Sequence, residues 1–248
     1  EPGVPVRPDE LDQDPWLLNI LNGTIDLRNG ELGPHDPDHM ITKLAPVGYD
    51  PTASCPLWLQ FLDRIMDGDE GLIQFLKRAI GYSLTGIIRE HVLFVCHGDG
   101  RNGKSTFLET ILNLLGDYSR KAPPRLLMLK HGEAHPTERA MLYGSRFVPA
   151  IESAEDNKFE EAIVKELTGA DTISARRMRE DFWVFSPTHH LWLATNHKPV
   201  ITGTDSGIWS RIALIPFSIT IPEHERDTTL AEKLQAEWPG ILRWAVEG

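Results

Sequence analysis

The first third of the chain shows short apolar or alternating stretches around two Asn-Gly pairs, at positions 22–23 and 29–30. Asn-Gly between such stretches is typical of tight hairpin turns, so this region predicts a small β-meander. Helical spacing of apolar residues then predicts one helix that starts near Pro56 and a second over "DEGLIQFLKRAIGYSL". Residues 1–86 are therefore predicted to form a small mixed β and helical N-terminal domain.

From Arg89 onward the pattern changes to short apolar runs that alternate with amphipathic stretches. The apolar runs that predict strands are "HVLFVC", "RFVPAI", "HHLWLATN" and "RIALIPF". The amphipathic stretches that predict helices are "KSTFLETILNLLG", "KFEEAIVKELTG" and "TLAEKLQAEWPGILRWAVEG", the last with a break at Pro239-Gly240. Such alternation indicates an α/β domain with a mainly parallel sheet over residues 87–248.

Two further alternating stretches interrupt this order. "TISARRM" and "FWVFSPT" predict the two arms of a β-hairpin around the turn "RED". The fold class predicted for the whole chain is thus α/β, with a parallel sheet and an inserted hairpin.

The composition adds bounds on the class of protein. Hydrophobic residues make up 41% and charged residues 25% of 248 residues, which is ordinary for a globular protein. No apolar run approaches the roughly 20 residues that a membrane span needs, and no leader segment is recognisable. Two cysteines, Cys55 and Cys96, cannot form a disulfide framework, so we expect a cytoplasmic, reducing compartment and no membrane partner.

The acidic charge is concentrated in one part of the chain. The net charge is −11, and residues 1–90 carry 7 Lys and Arg against 15 Asp and Glu. A protein with this balance does not bind nucleic acid with its whole surface, so any basic surface must be local and lie in the second part.

The stretch "GDGRNGKST" lies between the first predicted strand of the second domain and the helix that follows it. It matches the P-loop pattern, in which glycines let backbone N–H groups surround phosphates, the lysine reaches the β- and γ-phosphates and the hydroxyl binds Mg²⁺. The alternative is a glycine-rich turn with a solvated lysine. The predicted contacts for ATP and Mg²⁺ are Gly98, Asp99, Gly100, Arg101, Asn102, Gly103, Lys104, Ser105 and Thr106.

A P-loop needs a second acid to hold Mg²⁺ and orient water. Glu152 directly follows the strand "RFVPAI" and is the candidate for that metal and water site, with Glu155 as a second acid and Asp156 at the surface. A solvated acidic turn is the alternative. Asn196, which ends the strand "HHLWLATN", is a candidate for positioning the attacking water or, alternatively, a residue that caps a turn.

Basic residues cluster between positions 172 and 211, where five Lys and Arg face three acids. Arg176, Arg177 and Arg179 lie near the predicted hairpin turn, which suits contacts with a nucleic-acid backbone, although a solvated hairpin is an equal alternative. Arg211 precedes the last strand and could stabilise transition-state charge at a neighbouring subunit's nucleotide. The alternative is a surface arginine.

Three histidines, His189, His190 and His197, lie close together in the sequence. No Cys or His partner stands at zinc spacing, so we predict packing or surface roles and no structural zinc.

Taken together, these motifs resemble the superfamily 3 helicases of the phage, plasmid and poxvirus primase–helicase group. "GDGRNGKST" resembles their Walker A motif, "IESAED" their Walker B acids and "KELTGADTISARRM" their B′ motif. "LWLATNHKPVITGTDSGIWSRIALIPF" resembles their motif C with the following arginine, and "LNGTIDLRNGELGPHDPDHMITKLAPVGYDP" the domain before the ATPase.

The resemblance implies an AAA+-type core that assembles as a homo-oligomeric ring, usually a hexamer, around a single DNA strand in a central channel. It implies that Lys104, Ser105, Glu152 and Asn196 act from one subunit and Arg211 from the next, and it adds Lys165 as a basic residue near the nucleotide. Further implied partners are a primase domain or other replication proteins. One departure is Pro149, which a strand tolerates only at a sheet edge or where its missing N–H is not needed.

Three functions are compatible with these residues. The first is an ATP-driven DNA helicase of a phage or other replicating element. The second is a DNA-stimulated ATPase that acts as an assembly or loading switch without strand separation. The third is a small-molecule P-loop kinase, which would be active as a monomer.

Overall fold

The predicted meander and helices of the N-terminal region are confirmed in the computed structural model, which describes residues 6–129, 137–152, 158–198 and 206–248. Strands β1 (Leu17–Ile20), β2 (Gly23–Asp26) and β3 (Glu31–Gly33) form an antiparallel sheet in that order. Helices α1 (Pro56–Ile65) and α2 (Glu70–Leu84) follow. Pro56 stands in the first turn of α1, where its missing N–H has no helical partner to lose.

A four-stranded parallel sheet forms the centre of the second region. Its strands are β4 (Leu93–His97), β5 (Phe147–Glu152), β8 (His190–Thr195) and β9 (Ile212–Pro216), in the spatial order β5-β8-β4-β9. All three pairings are parallel, as the alternation of apolar runs and helical stretches predicts. The carboxyl ends of β5, β8 and β4 are therefore neighbours at one edge of the sheet.

Helices cover both faces of this sheet. They are α3 (Lys104–Leu115), α4 (Thr137–Ala140), α5 (Glu161–Thr168), α6 (Ser206–Trp209), α7 (Leu230–Ala236) and α8 (Trp238–Val246). Phe94 and Trp192 point to the face that packs against α1, α2, α3 and α8. Leu93 and Leu191 point to the opposite face, which packs against α5. The meander shares the first of these cores with α3, and a domain boundary at residue 86 stays a prediction.

The predicted hairpin is confirmed as an antiparallel pair of strands, β6 (Ile173–Ala175) and β7 (Trp183–Phe185). Pro149 also lies where the sequence requires it. It stands in β5, an edge strand of the parallel sheet whose outer side carries, among the described residues, only isolated bridges to Ser119 and Ala122. Its carbonyl accepts a hydrogen bond from Ala122 on that side, 2.9 Å from N to O.

Two element boundaries differ from the sequence-based predictions. Helix α5 begins at Glu161 rather than at Lys158, because Phe159 is buried and forms an antiparallel bridge with Met128. The break in the last helical stretch lies at Glu237, and Pro239 stands in the first turn of α8, which tolerates proline. The Glu237 carboxylate accepts hydrogen bonds from the first backbone N–H groups of α1, so the break between α7 and α8 is attached to the start of α1.

Candidate functional site

The glycine-rich loop connects β4, which ends at His97, to α3, which begins at Lys104. Two glycines are required by geometry. Gly98 has φ +153°, and a Cβ there would lie 2.1 Å from the carbonyl oxygen of Phe217. Gly103 has φ +85°, and a Cβ there would lie 2.5 Å from the side chain of Ile65. The loop is therefore packed between β9 and α1 and has room for backbone atoms only at these two points.

Lys104 is folded back into the loop and is only 5% exposed. Its Nζ donates hydrogen bonds to the carbonyl oxygen of Gly98, at 2.5 Å, and to Oδ1 of Asn102, at 2.9 Å. Burial lowers the pKa of this amine below its ordinary value, while Cys96 and Asp99 act in the opposite direction. A buried ammonium group at the start of a helix is ready to exchange these oxygen partners for the oxygens of a phosphate.

The side chain of Asn102 anchors the loop through hydrogen bonds to other parts of the protein. It is 2% exposed, and its Nδ2 donates a hydrogen bond to the carbonyl oxygen of Phe217, at 3.1 Å, while its Oδ1 accepts from Lys104. The side chain thus ties the lysine to the end of β9, a role that the sequence pattern alone does not reveal.

A cavity of about 330 Å³ opens over the loop. Its walls are Gly100, Arg101, Asn102, Gly103, Lys104, Ser105, Thr106, Ile151, Ala194 and Asn196. The predicted lysine and hydroxyl groups therefore share one cavity with Asn196, which comes from a strand about 90 residues further along the chain. Gly98 and Asp99 lie outside this lining.

The predicted acids can be placed only in part. Glu152 is the last residue of β5, and its backbone pairs with Thr195, directly before Asn196. The backbone therefore brings Glu152 to the edge of the sheet where the cavity lies. Glu155 and Asp156 fall outside the described residues.

Arg211 and Lys165 lie away from this cavity. Arg211 precedes β9 and stands at the amino end of the sheet, where its Nη1 donates a hydrogen bond to the Thr168 hydroxyl at 3.1 Å. The five residues of β9 separate it from the carboxyl end by about 16 Å, at roughly 3.3 Å per residue. Lys165 lies on α5, against the sheet face opposite α3. Arg211 therefore does not reach the P-loop of its own chain.

The hairpin combines exposed basic and apolar side chains. Arg179 has φ +65° at the tip, beside a turn in which the Glu180 N–H donates to the Arg177 carbonyl oxygen. The guanidinium of Arg176 lies 5.0 Å from the centre of the Phe182 ring. Met178 is 77% and Phe182 is 60% exposed. These two apolar residues were not singled out from the sequence, although an aromatic residue directly after "RED" was a visible signal.

His189 and His190 are packing residues, as predicted. Both are buried, and they point to opposite faces of the sheet, where the ring nitrogens contact the carbonyl oxygens of Leu167 and Thr85. Burial lowers the pKa of His189 to about 4 and that of His190 to about 3. The absence of a structural zinc stays a prediction. Over the described ranges, no helix is both long enough and apolar enough to cross a membrane.

Two family models match the chain. One, "D5 N terminal like", matches residues 1–67, and the other, a family of unknown function named DUF5906, matches residues 96–211. The first covers the meander and α1, and the second covers the P-loop, the hairpin and Arg211.

Viral proteins are similar over most of the chain. "Putative helicase L207/L206" of Acanthamoeba polyphaga mimivirus is 28% identical over 90% of this chain, and "Putative helicase 184R" of Invertebrate iridescent virus 6 is 28% identical over 93%. "Putative primase C962R" of African swine fever virus is 26% identical over 82%. The chain spans only 22–25% of the length of these relatives.

A solved structure shares the fold. The C-terminal region of NrS-1 superposes with a TM-score of 0.65 over 80% of this chain and 47% of its own length, at 13% identity. This likeness concerns the fold alone. The family model of the N-terminal region and the viral relatives confirm the resemblance to the primase–helicase type.

Proposed function

We propose that this chain, which resembles viral primases and helicases, is the ATPase motor of a DNA helicase and couples ATP hydrolysis to movement along a single DNA strand. The observation that carries the proposal is the cavity shared by Lys104, Ser105 and Asn196. A P-loop alone fits many phosphate-binding proteins, whereas an asparagine that lines the same cavity from the end of the neighbouring strand supports a role in holding the water that attacks the γ-phosphate.

The residues of the loop fit a triphosphate with Mg²⁺. Lys104 neutralises phosphate charge, and the start of α3 adds positive potential from its free N–H groups. Ser105, whose side chain is exposed to the cavity, and Glu152 are the proposed protein ligands of Mg²⁺, which draws charge away from the reacting phosphates when bound. Asn196, with Glu155 as a second acid, holds the attacking water.

The position of Arg211 supports a site that two subunits complete. An arginine about 16 Å along the sheet from the P-loop of its own chain can act on phosphates only from outside that chain's cavity. We therefore propose a homo-oligomeric ring, a hexamer by resemblance, in which Arg211 reaches the neighbour's ATP. Arg176, Arg177 and Arg179 on the hairpin contact the phosphates of DNA in the central channel.

The test measures the ATPase rate and the mass of the protein together, over a range of protein concentrations, with and without single-stranded DNA. We expect a rate that rises with assembly and with DNA, and Lys104→Ala should abolish hydrolysis. Undiminished hydrolysis by Lys104→Ala would contradict the P-loop assignment. A monomeric rate that ignores DNA would favour the kinase class instead.

A strand-separation assay on a forked DNA then separates the motor from the loading switch. The motor displaces one strand when ATP is present, and Lys104→Ala does not. DNA-stimulated hydrolysis without displacement would support the switch.

A further inference from the structure

Arg211 makes hydrogen bonds through both its backbone and its guanidinium group. Its backbone N–H donates to the carbonyl oxygen of Ile208 at 3.1 Å, and its carbonyl oxygen accepts from the Leu93 N–H at 2.7 Å. These bonds fix the root of the side chain between α6 and β4. At the other end, Nη1 of the guanidinium donates to the hydroxyl of Thr168 at 3.1 Å. The side chain therefore joins the start of β9 to the end of α5.

Thr168 is the last residue of α5, and it is only 4% exposed. Its hydroxyl donates to the carbonyl oxygen of Val164, one helical turn earlier, at 2.7 Å. Because a hydroxyl has a single hydrogen, the same oxygen can only accept in any further bond. A guanidinium can only donate, so it is the kind of partner that this oxygen requires.

The end of α5 is itself attached to the central sheet. His189, which directly precedes β8, contacts the carbonyl oxygen of Leu167 through Nε2 at 3.0 Å. A carbonyl oxygen only accepts, so Nε2 carries the hydrogen of this bond. The Gly169 N–H donates to the carbonyl oxygen of Glu166 at 3.2 Å and closes the last turn of the helix. These contacts fix the Thr168 hydroxyl relative to the sheet from which Arg211 extends.

A fixed acceptor matters to a long side chain that must act at a distance. Several rotatable bonds separate the guanidinium from the backbone, and ordering them opposes any contact that the group makes. A partner within the same chain orders the side chain before a neighbouring nucleotide meets it. The bond to Thr168 uses one of the five N–H donors of the guanidinium, and phosphate oxygens are suited to the others.

We propose that Thr168 is a positioning residue for Arg211, and that its hydroxyl orients the guanidinium toward the nucleotide of the neighbouring subunit. This inference rests on the proposed function, in which Arg211 completes the neighbour's site. Thr168 lies outside the lining of the cavity over the P-loop, so it acts through Arg211 and does not touch the nucleotide of its own chain. Its loss is therefore expected to lower the turnover of ATP and not the affinity for ATP.

The test replaces the hydroxyl of Thr168 in three ways and measures steady-state hydrolysis with single-stranded DNA and ATP binding by calorimetry, both on the whole chain. Thr168→Val removes the acceptor at nearly constant shape, and Thr168→Ala removes it without adding apolar surface. We expect both to lower kcat about tenfold, the loss typical of one hydrogen bond to a charged group, with ATP affinity unchanged. Thr168→Ser keeps the acceptor and should retain wild-type turnover.

A matched control and a double variant separate positioning from a general loss of stability. Thr110 in α3 is also buried, and its hydroxyl likewise donates to the carbonyl oxygen four residues earlier, so Thr110→Val should leave turnover within about twofold of wild type. In an Arg211→Ala background, Thr168→Val should have no further effect, because the group that it positions is absent. Retained ATP binding shows that each variant is folded.

Four outcomes would overturn the role of Thr168. They are wild-type or higher turnover in both Thr168→Val and Thr168→Ala, an equal loss in Thr110→Val, a loss in Thr168→Ser as large as in Thr168→Val, and a further tenfold loss when Thr168→Val is added to Arg211→Ala. If Arg211→Ala alone kept wild-type turnover, the proposed site shared between subunits would fail as well. A loss in Arg211→Ala without any loss in the Thr168 variants would contradict this inference alone.

Discussion

The P-loop and the β-hairpin both contain basic residues and turn residues, but they differ in how far their side chains are buried. The P-loop lysine is buried, and its ammonium group is held by Gly98 and Asn102. The hairpin instead presents Met178 and Phe182 to solvent, with Arg176 lying over the Phe182 ring.

This difference indicates what completes each region. An open cavity beside a buried, hydrogen-bonded lysine suits a small ligand and needs little rearrangement to bind it. An exposed hairpin with arginines and apolar side chains gains contacts only when a larger molecule covers it, and stacking of bases on such side chains is sequence-tolerant. This difference supports the proposal that the P-loop binds a nucleotide and the hairpin a nucleic-acid strand.

The largest effect on the turnover of ATP is expected from substitution of Arg211, which lies outside both the P-loop and the hairpin of its own chain. Arg211→Ala should lower the turnover of ATP roughly 10³-fold while nucleotide binding is retained, because the guanidinium stabilises charge that develops only in the transition state. Steady-state hydrolysis and calorimetry measure the two quantities separately. Arg120→Ala, at an exposed arginine, is the charge-matched control, and an equal loss in both variants would count against a specific role for Arg211.

The next effect tests whether the P-loop is as tightly packed as the structure shows. Gly98→Ala should lower the free energy of unfolding by at least about 2 kcal/mol, because its Cβ would meet the Phe217 carbonyl oxygen at 2.1 Å at an unfavourable φ. Denaturant melts of Gly98→Ala and of the wild-type protein measure this difference in the free energy of unfolding.

Gly100→Ala is the matched control for this prediction. A Cβ at Gly100 would meet nothing within 4 Å, so its stability should stay close to wild type. Equal stability of Gly98→Ala and the wild-type protein would show that the loop yields more easily than its contacts imply.

A smaller effect tests the hairpin. Phe182→Ala should weaken binding of single-stranded DNA about tenfold, the loss typical of one stacked base. Arg179→Ala should weaken it less and should also reduce the dependence of binding on salt, because one phosphate contact is lost.

Fluorescence anisotropy with a labelled oligonucleotide at several salt concentrations measures both variants. Lys121→Ala is the control, since Lys121 is exposed and its amine contacts Glu109 at 3.4 Å, away from the hairpin. If all three variants bind DNA as the wild type does, the hairpin is not the DNA-binding element.

The local parts of this molecule could be predicted from its sequence. The P-loop, the hairpin turn and the parallel sheet follow from spacing and periodicity, and the edge position of β5 is one of the two positions that Pro149 allows. These features depend on neighbours in sequence or on one backbone N–H group, which a pattern can express.

The features that depend on distant contacts could not be predicted. Asn102 anchors the loop only because Phe217, the residue after β9, lies beside it. The segment after β9 is also attached to the loop by the hydrogen bond from the Ile221 N–H to the Arg101 carbonyl oxygen. The helical pattern predicts a start of α5 that is three residues too early, because the pairing of Phe159 with Met128 overrides this pattern. Such contacts join residues that are far apart in the sequence, so the periodicity of helices and strands cannot reveal them.

The measurement that tests the central claim most directly mixes two inactive variants, Lys104→Ala and Arg211→Ala, in equal amounts and follows ATP hydrolysis. Each variant alone lacks one half of every site. In randomly mixed rings, about a quarter of the interfaces would pair an intact Lys104 with an intact Arg211 from the neighbour, so we predict that activity returns to a substantial fraction of wild type. No recovery at any mixing ratio, with mixed assembly verified by mass, would contradict a site shared between subunits.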